Sequence, residues 1–133
     1  MTGDDVAHAA LALVGTPFRL HGRDPRHGLD CVGVLAIAIC ARPALPSSYT
    51  LRGGRLEEIE RLAPSLGLQT AAGRILAGDV LLFRPGAAQF HFAIAANRNL
   101  LVHAHAGLRR VVVGPRPEHW PMIGHWRLQN PRN

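Results

Sequence analysis

Three residues of this 133-residue chain, Cys31, His91 and His103, have the types and spacing needed for nucleophilic chemistry. Cys31 follows Asp30 and opens the apolar run Cys31-Val-Gly-Val-Leu-Ala-Ile-Ala-Ile-Cys40-Ala41. A run that is apolar on every side reads as a helix buried in the core. A cysteine in its first turn meets unpaired backbone N–H groups and the positive end of the helix dipole, which favour the thiolate and lower its pKa. Cys40 falls in mid-helix, gets no such help and reads as an inert core residue. On one helix the two sulfurs would stand ~13 Å apart in rise, too far for a disulfide.

His91 lies in Phe90-His91-Phe92-Ala93-Ile94 and His103 in Leu101-Val102-His103-Ala104-His105. Alternation sets each histidine on the strand face opposite its apolar neighbours. A hairpin joining the two runs lets the rings meet only with an odd-numbered loop or a bulge. A three-residue loop of Ala96, Asn97 and Arg98 would place Ala95 opposite Asn99 and His91 opposite His103. Asn97 and Asn99 tolerate the positive φ such a loop needs. If the rings meet, His91 takes the thiol proton, and His103 fixes the useful tautomer of His91 and stabilises its charged form. The backbone N–H of Cys31 then points where an oxyanion would develop.

The elements that must hold these residues fall into two halves. Asp4 or Asp5 caps a first helix with Val6, Ala9, Ala10, Leu13 and Val14 at helical spacing, stopped by Gly15 and Pro17. Residues 16–29 are a loop rich in Gly, Pro, Arg and His, and the Cys31 helix ends at Pro43 and Pro46. A third helix near Arg55 to Leu62 puts Leu56, Ile59 and Leu62 on one face. Strands follow at Asp79–Arg84, Phe90–Ala95, Leu100–His105, Leu108–Val113 and Ile123–Leu128. Helices first and strands after is the α+β pattern, with N-terminal helices packed on an antiparallel sheet of about five strands. The length suits one domain over residues 1–133, with 128–133 as a tail.

Fifteen basic residues, all arginine, against nine acidic ones give a net charge of +6. Such a surplus attracts polyanions. The arginines are scattered, however, and aromatic residues make up only 5% of the chain. A nucleic-acid binder would show a basic stripe or aromatic-basic interleaving, so nucleic acid is not an expected partner. The N-terminal Met-Thr-Gly-Asp-Asp has acids where a secretory signal needs positive charge, and its apolar run is too short for a membrane span. The expectation is a chain made in the cytoplasm, without the general secretory route or a membrane anchor.

Five blocks in order, Leu-Val-Gly-Thr-Pro-Phe-Arg (13–19), Gly-Leu-Asp-Cys-Val-Gly-Val (28–34), Gly-Asp-Val-Leu-Leu-Phe (78–83), His-Phe-Ala-Ile (91–94) and Leu-Val-His-Ala (101–104), resemble those of the NlpC-type peptidoglycan endopeptidases. The resemblance runs from residue 6 to about 128. It implies a papain-like fold and hydrolysis of the γ-D-glutamyl–diamino acid amide of bacterial stem peptides, without cofactor or metal. Cys31, His91 and His103 fall on the nucleophile, the base and the third polar residue. Asp30 falls on the acid that receives the free amine of the substrate's L-alanine, and is an equally good helix N-cap. Phe18 stands where tyrosine is frequent and Val32 where serine is, which bears on substrate more than on chemistry. Arg23 and His21, in the loop before the cysteine, are candidates to line the cleft. The Asp-Cys-Val-Gly and Gly-Asp-Val-Leu-Leu-Phe-Arg forms most resemble the branch in tailed phages and gene-transfer agents, which implies phage-like tail proteins as partners and a place on a particle or at the cell wall.

Three other readings fit the same residues. Cys31, His91, His103 and His105 offer four ligands to zinc. A papain-like domain could serve a tail as an inactive structural or binding module. An amidase or acyltransferase on the same scaffold would share the dyad.

Overall fold

The computed structural model describes residues 1–40, 55–87 and 89–129. The helix stop assigned to Pro43 and Pro46, and the tail beyond residue 129, lie outside the described residues.

The first helix, α1, spans Gly3–Leu11. Its N-cap is Thr2 rather than Asp4 or Asp5: the Thr2 hydroxyl accepts from Asp5 N at 3.2 Å, and the Asp5 carboxylate accepts from Thr2 N at 2.8 Å. This reciprocal box satisfies two end donors where a single aspartate would satisfy one. Val6, Ala7, Ala10 and Leu13 are buried, while Val14 is exposed. The following loop contains a short hairpin, β1 (Arg23–Asp24) with β2 (Gly28–Leu29).

Helix α2 spans Cys31–Ala38 with Asp30 as N-cap, its side chain accepting from Gly33 N. All of its residues except Ile37 are buried, as an all-apolar helix requires. Filling the core with Val32, Val34 and Leu35 contributes roughly 1.5–3 kcal/mol apiece. The helix stops three residues short of the end of the apolar run. Cys40 lies beyond it with φ 57 and its side chain exposed, so it is neither in mid-helix nor in the core. Both cysteines are free thiols.

Helix α3 (Leu56–Leu62) continues into a 3₁₀ turn over Ala63–Leu66. The strands are β3 (Leu68–Thr70), β4 (Val80–Phe83), β5 (His91–Ala95), β6 (Leu101–His105), β7 (Arg110–Gly114) and β8 (Met122–Leu128). They form one antiparallel sheet of six strands in the order β3-β8-β4-β5-β6-β7. The strand beyond the expected five is β3, only three residues long with a single buried apolar residue, Leu68. Such a segment has too little alternation to stand out in a sequence. The fold is α+β, as the order of elements implied.

Alternation divides the sheet cleanly. Val80, Leu82, Phe92, Ile94, Val102 and Ala104 join the helices in the main core. Leu81, Phe83, Ala93, Ala95 and Leu101 form a second cluster on the other face, with Trp120 packed against it.

Candidate active site

The loop before α2 and the start of α2 are locked together by close backbone approach. A Cβ on Gly33 would lie 2.2 Å from the Gly22 carbonyl oxygen, so only glycine fits. This places residues 21–23 over the first turn, where Asp30 gathers them. Its Oδ2 accepts from His21 N at 2.8 Å, and its Oδ1 accepts from Arg23 Nη1 at 2.8 Å and Gly33 N at 2.9 Å. Asp30 is therefore both N-cap and half of an ion pair with Arg23.

The two histidines meet from β5 and β6. His91 Nε2 lies 2.9 Å from His103 Nδ1, with the rings edge to face at 89°. The hairpin achieves this in a register shifted from the expected one. Ile94 pairs with Val102 and Ala95 with Leu101, and Ala96 N donates to Leu100 O at 2.8 Å, leaving Asn97, Arg98 and Asn99 as the loop. The loop has three residues, one position later than the expected Ala96–Arg98. Parity is kept, so both histidines stay on one face, as diagonal rather than directly opposed neighbours. Neither asparagine takes a positive φ. Asn97 instead closes the turn with its side-chain oxygen, which accepts from Asn99 N at 2.8 Å and Leu100 N at 2.9 Å.

Cys31 and His91 both line a cleft of about 750 Å³, whose walls include Phe18, Leu20, Phe90 and Trp120. Asp30, His21 and His105 also reach it, and Arg23 and His103 do not. Arg23 is thus not a cleft-lining residue; its guanidinium is turned to Asp30. Trp120, which no sequence signal marked, stands edge-on to both histidines, 5.1 Å from the His91 ring and 5.9 Å from the His103 ring. Only its place two strands later, beside a sheet face already known to carry both rings, could have drawn attention to it.

The electrostatics reverse one expectation. Burial pushes the Cys31 thiol up to about 12, and the Asp30 charge adds to it. The N–H of Phe92, the Arg23 charge and the cysteine's own N–H pull the other way and lose. A helix start lowers a thiol pKa where solvent or a nearby cation supports the charge; here the N-cap is an anion and Cys31 is only 4% exposed. Burial also pushes His91 down to about 3, helped by His103 and His105, and His103 down to about 4, helped by His105. Near neutral pH thiol and imidazoles are all uncharged.

His105 is turned to its own loop, its Nδ1 accepting from Leu108 N at 3.0 Å. Among the described residues no three His, Cys, Asp or Glu side chains are grouped to hold a metal ion. Among them, too, no helix is long and apolar enough to cross a membrane.

No family model matches the chain. Dipeptidyl-peptidase 6 of Lysinibacillus sphaericus is 29% identical over 120 residues, covering 90% of this chain and 38% of that protein. The chain thus spans well under half of that relative. Three solved structures superpose well. NlpC2 of Trichomonas vaginalis matches with a TM-score of 0.67 and 18% identity, over 95% of this chain and 46% of its own. The NlpC/p60 domain of the peptidoglycan hydrolase SagA gives 0.61 and 24%, over 86% and 90%. The peptidoglycan hydrolase RipB of Mycobacterium tuberculosis gives 0.58 and 20%, over 94% and 63%. The chain has the NlpC/p60 fold.

Proposed function

We propose that this chain is a cysteine hydrolase of bacterial peptidoglycan that cuts the γ-D-glutamyl–diamino acid amide of stem peptides. The observation that carries the reading is the shared cleft: Cys31 and His91 line it together, and His91 is held from behind by His103 at 2.9 Å. The SagA domain and RipB, peptidoglycan hydrolases by name, have the same fold.

The chemistry follows from which ring atoms are free. His91 Nε2 is committed to His103 Nδ1, so the base atom facing substrate is His91 Nδ1, with the proton on Nε2. As Cys31 Sγ adds to the amide carbon, its proton passes to His91 Nδ1. The imidazolium so formed donates from Nε2 to His103 Nδ1, a charge-assisted bond that stabilises it. The oxyanion meets the N–H of Cys31. The C–N bond then breaks, His91 returns the proton to the leaving amine, and a thioester remains. Water attacks that thioester with His91 again as base, releasing the D-glutamyl carboxylate and restoring the thiol. Because thiol and imidazole start neutral, proton transfer accompanies attack instead of preceding it.

Purified muropeptides digested by the wild type and by Cys31→Ala, with products read by mass spectrometry, test the reading. Cleavage after D-glutamate by the wild type alone is expected. Cleavage that survives Cys31→Ala would remove the nucleophile, and none by either would remove the reaction.

The finer placement, on a phage-like tail or gene-transfer particle with tail proteins as partners and action at the wall, is supported by the form of the Asp30 to Gly33 and Gly78 to Arg84 blocks. A second reading, an inactive papain-like binding module, is favoured by one observation, the buried thiol held at about 12.

A further inference from the structure

A substrate ammonium entering an apolar cleft needs an anionic partner, because an unpaired charge taken from water is strongly disfavoured. The cleft walls are largely carbon, and Phe18 brings no hydroxyl to the site. Among the described residues Asp30 is the one acid that lines the cleft. Its side chain is only 6% exposed and already accepts three hydrogen bonds, one from the Arg23 guanidinium at 2.8 Å.

The chain has few acids that could take its place. Of the nine, Asp24 is paired with Arg26 and Asp79 is buried against His125 and Arg127. The remaining six lie on α1, on α3 and in the exposed turn before Trp120. Residues outside the described segments include no Asp or Glu. The region that would greet a free N-terminal amine is therefore neutral overall, in a protein of net charge +6.

We infer that Arg23 is a specificity-determining residue: by neutralising Asp30 it sets the cleft for stem peptides whose N-terminal amine is already in amide linkage, and against those with a free ammonium. This rests on the hydrolase reading above and deepens it. It also separates the chain from any enzyme that removes dipeptides from a free N-terminus. A neutral amide asks for no counter-charge, and its acyl carbons gain from the apolar walls. Arg23 acts through Asp30 and need not touch the substrate.

The test uses two synthetic stem peptides, L-alanyl-γ-D-glutamyl-diamino acid and its N-acetyl form, otherwise identical. For the wild type, kcat/KM is expected to be about tenfold higher for the acetylated peptide, the effect of one unmet charge interaction of modest size. A ratio below about threefold, or a preference for the free amine, overturns the inference while leaving the hydrolase reading intact. Calorimetric binding of both peptides to Cys31→Ala reads the preference without turnover. Tighter binding of the acetylated form supports the inference, tighter binding of the free amine overturns it, and binding of neither overturns both readings. Arg23→Gln, which keeps a donor to Asp30 but no charge, should move the wild-type ratio toward the free amine, and Arg23→Lys should leave it in place. An unmoved ratio in a folded Arg23→Gln protein would take the role away from Arg23.

Discussion

His91 Nε2 and His103 Nδ1 lie 2.9 Å apart across two strands whose ladder does not pair them directly. In the proposed reaction His91 donates across this contact from Nε2 and keeps Nδ1 for the thiol proton. Removing the acceptor should therefore damage chemistry more than binding. His103→Ala is expected to lower kcat by about 10²–10⁴-fold with little change in KM, the range seen when a catalytic histidine loses its orienting partner. His103→Asn, whose amide oxygen can still accept, should recover part of that loss. Equal activity in His103→Ala and the wild type would show that His91 needs no partner.

Cys31 is expected to alkylate slowly. With the thiol at about 12 instead of 9.0, its thiolate fraction at pH 7 falls on the order of 10³-fold below that of an ordinary cysteine. The measurement is iodoacetamide labelling against pH in a Cys40→Ala background, since Cys40 is exposed and would dominate the signal. The rate should climb through pH 9 without a plateau. A fast, pH-independent reaction between pH 5 and 7 would mean that the thiolate–imidazolium pair forms without substrate.

Mild acid should destabilise the fold through the two buried histidines. His91 sits at about 3 and His103 at about 4, both lowered chiefly by burial from 6.5. Between those values the unfolded chain binds more protons than the folded one, so stability rises with pH there. The contribution is complete above about 6.5 and lost as pH falls toward 4 and then 3. Asp79 contributes as pH falls below 3.8: burial would raise its pKa, but the bonds from Arg127, Leu76 and His125 outweigh it and hold it lowered. Urea melts between pH 7 and 4.5 thus read the histidines. A double variant, His91→Gln with His103→Gln, should lose less stability over that range than the wild type; a parallel loss would place the acid sensitivity elsewhere.

The parts of this fold that were legible in the sequence are those where one residue type answers one physical demand. The all-apolar run after Asp30 had to be buried, and α2 is. The even separation of His91 and His103 put them on one face in any register that keeps parity, so the one-residue displacement of the hairpin loop did no harm. Legibility failed where the outcome depends on what a residue meets in space. Helix position argued for a reactive Cys31, but the sequence could not say that burial would outweigh the help of the helix start. Cys40 continued an apolar run, yet the helix ended before it. Nor could spacing show that the close packing of Gly22 on Gly33 brings Arg23 onto Asp30.

Trp120 belongs to that second class and supplies a further prediction. Its indole stands edge-on to His91 at 5.1 Å and 70° and to His103 at 5.9 Å and 72°, and it is backed by Phe83 at 6.2 Å. Arg116 Nη2 donates to its carbonyl at 3.3 Å, anchoring the turn. The ring helps to cover the dyad, and burial is what holds His91 at about 3. Trp120→Ala should admit water and let the pKa of His91 rise toward 6.5. Since the reaction needs neutral His91, the acid limb of the kcat/KM profile should move up in pH, while Trp120→Phe should keep most of the cover and move it less. The check is the profile from pH 4 to 8 for the three proteins. A higher KM in Trp120→Ala with an unmoved acid limb would mean that the indole lines the substrate cleft but does not set the protonation of the base.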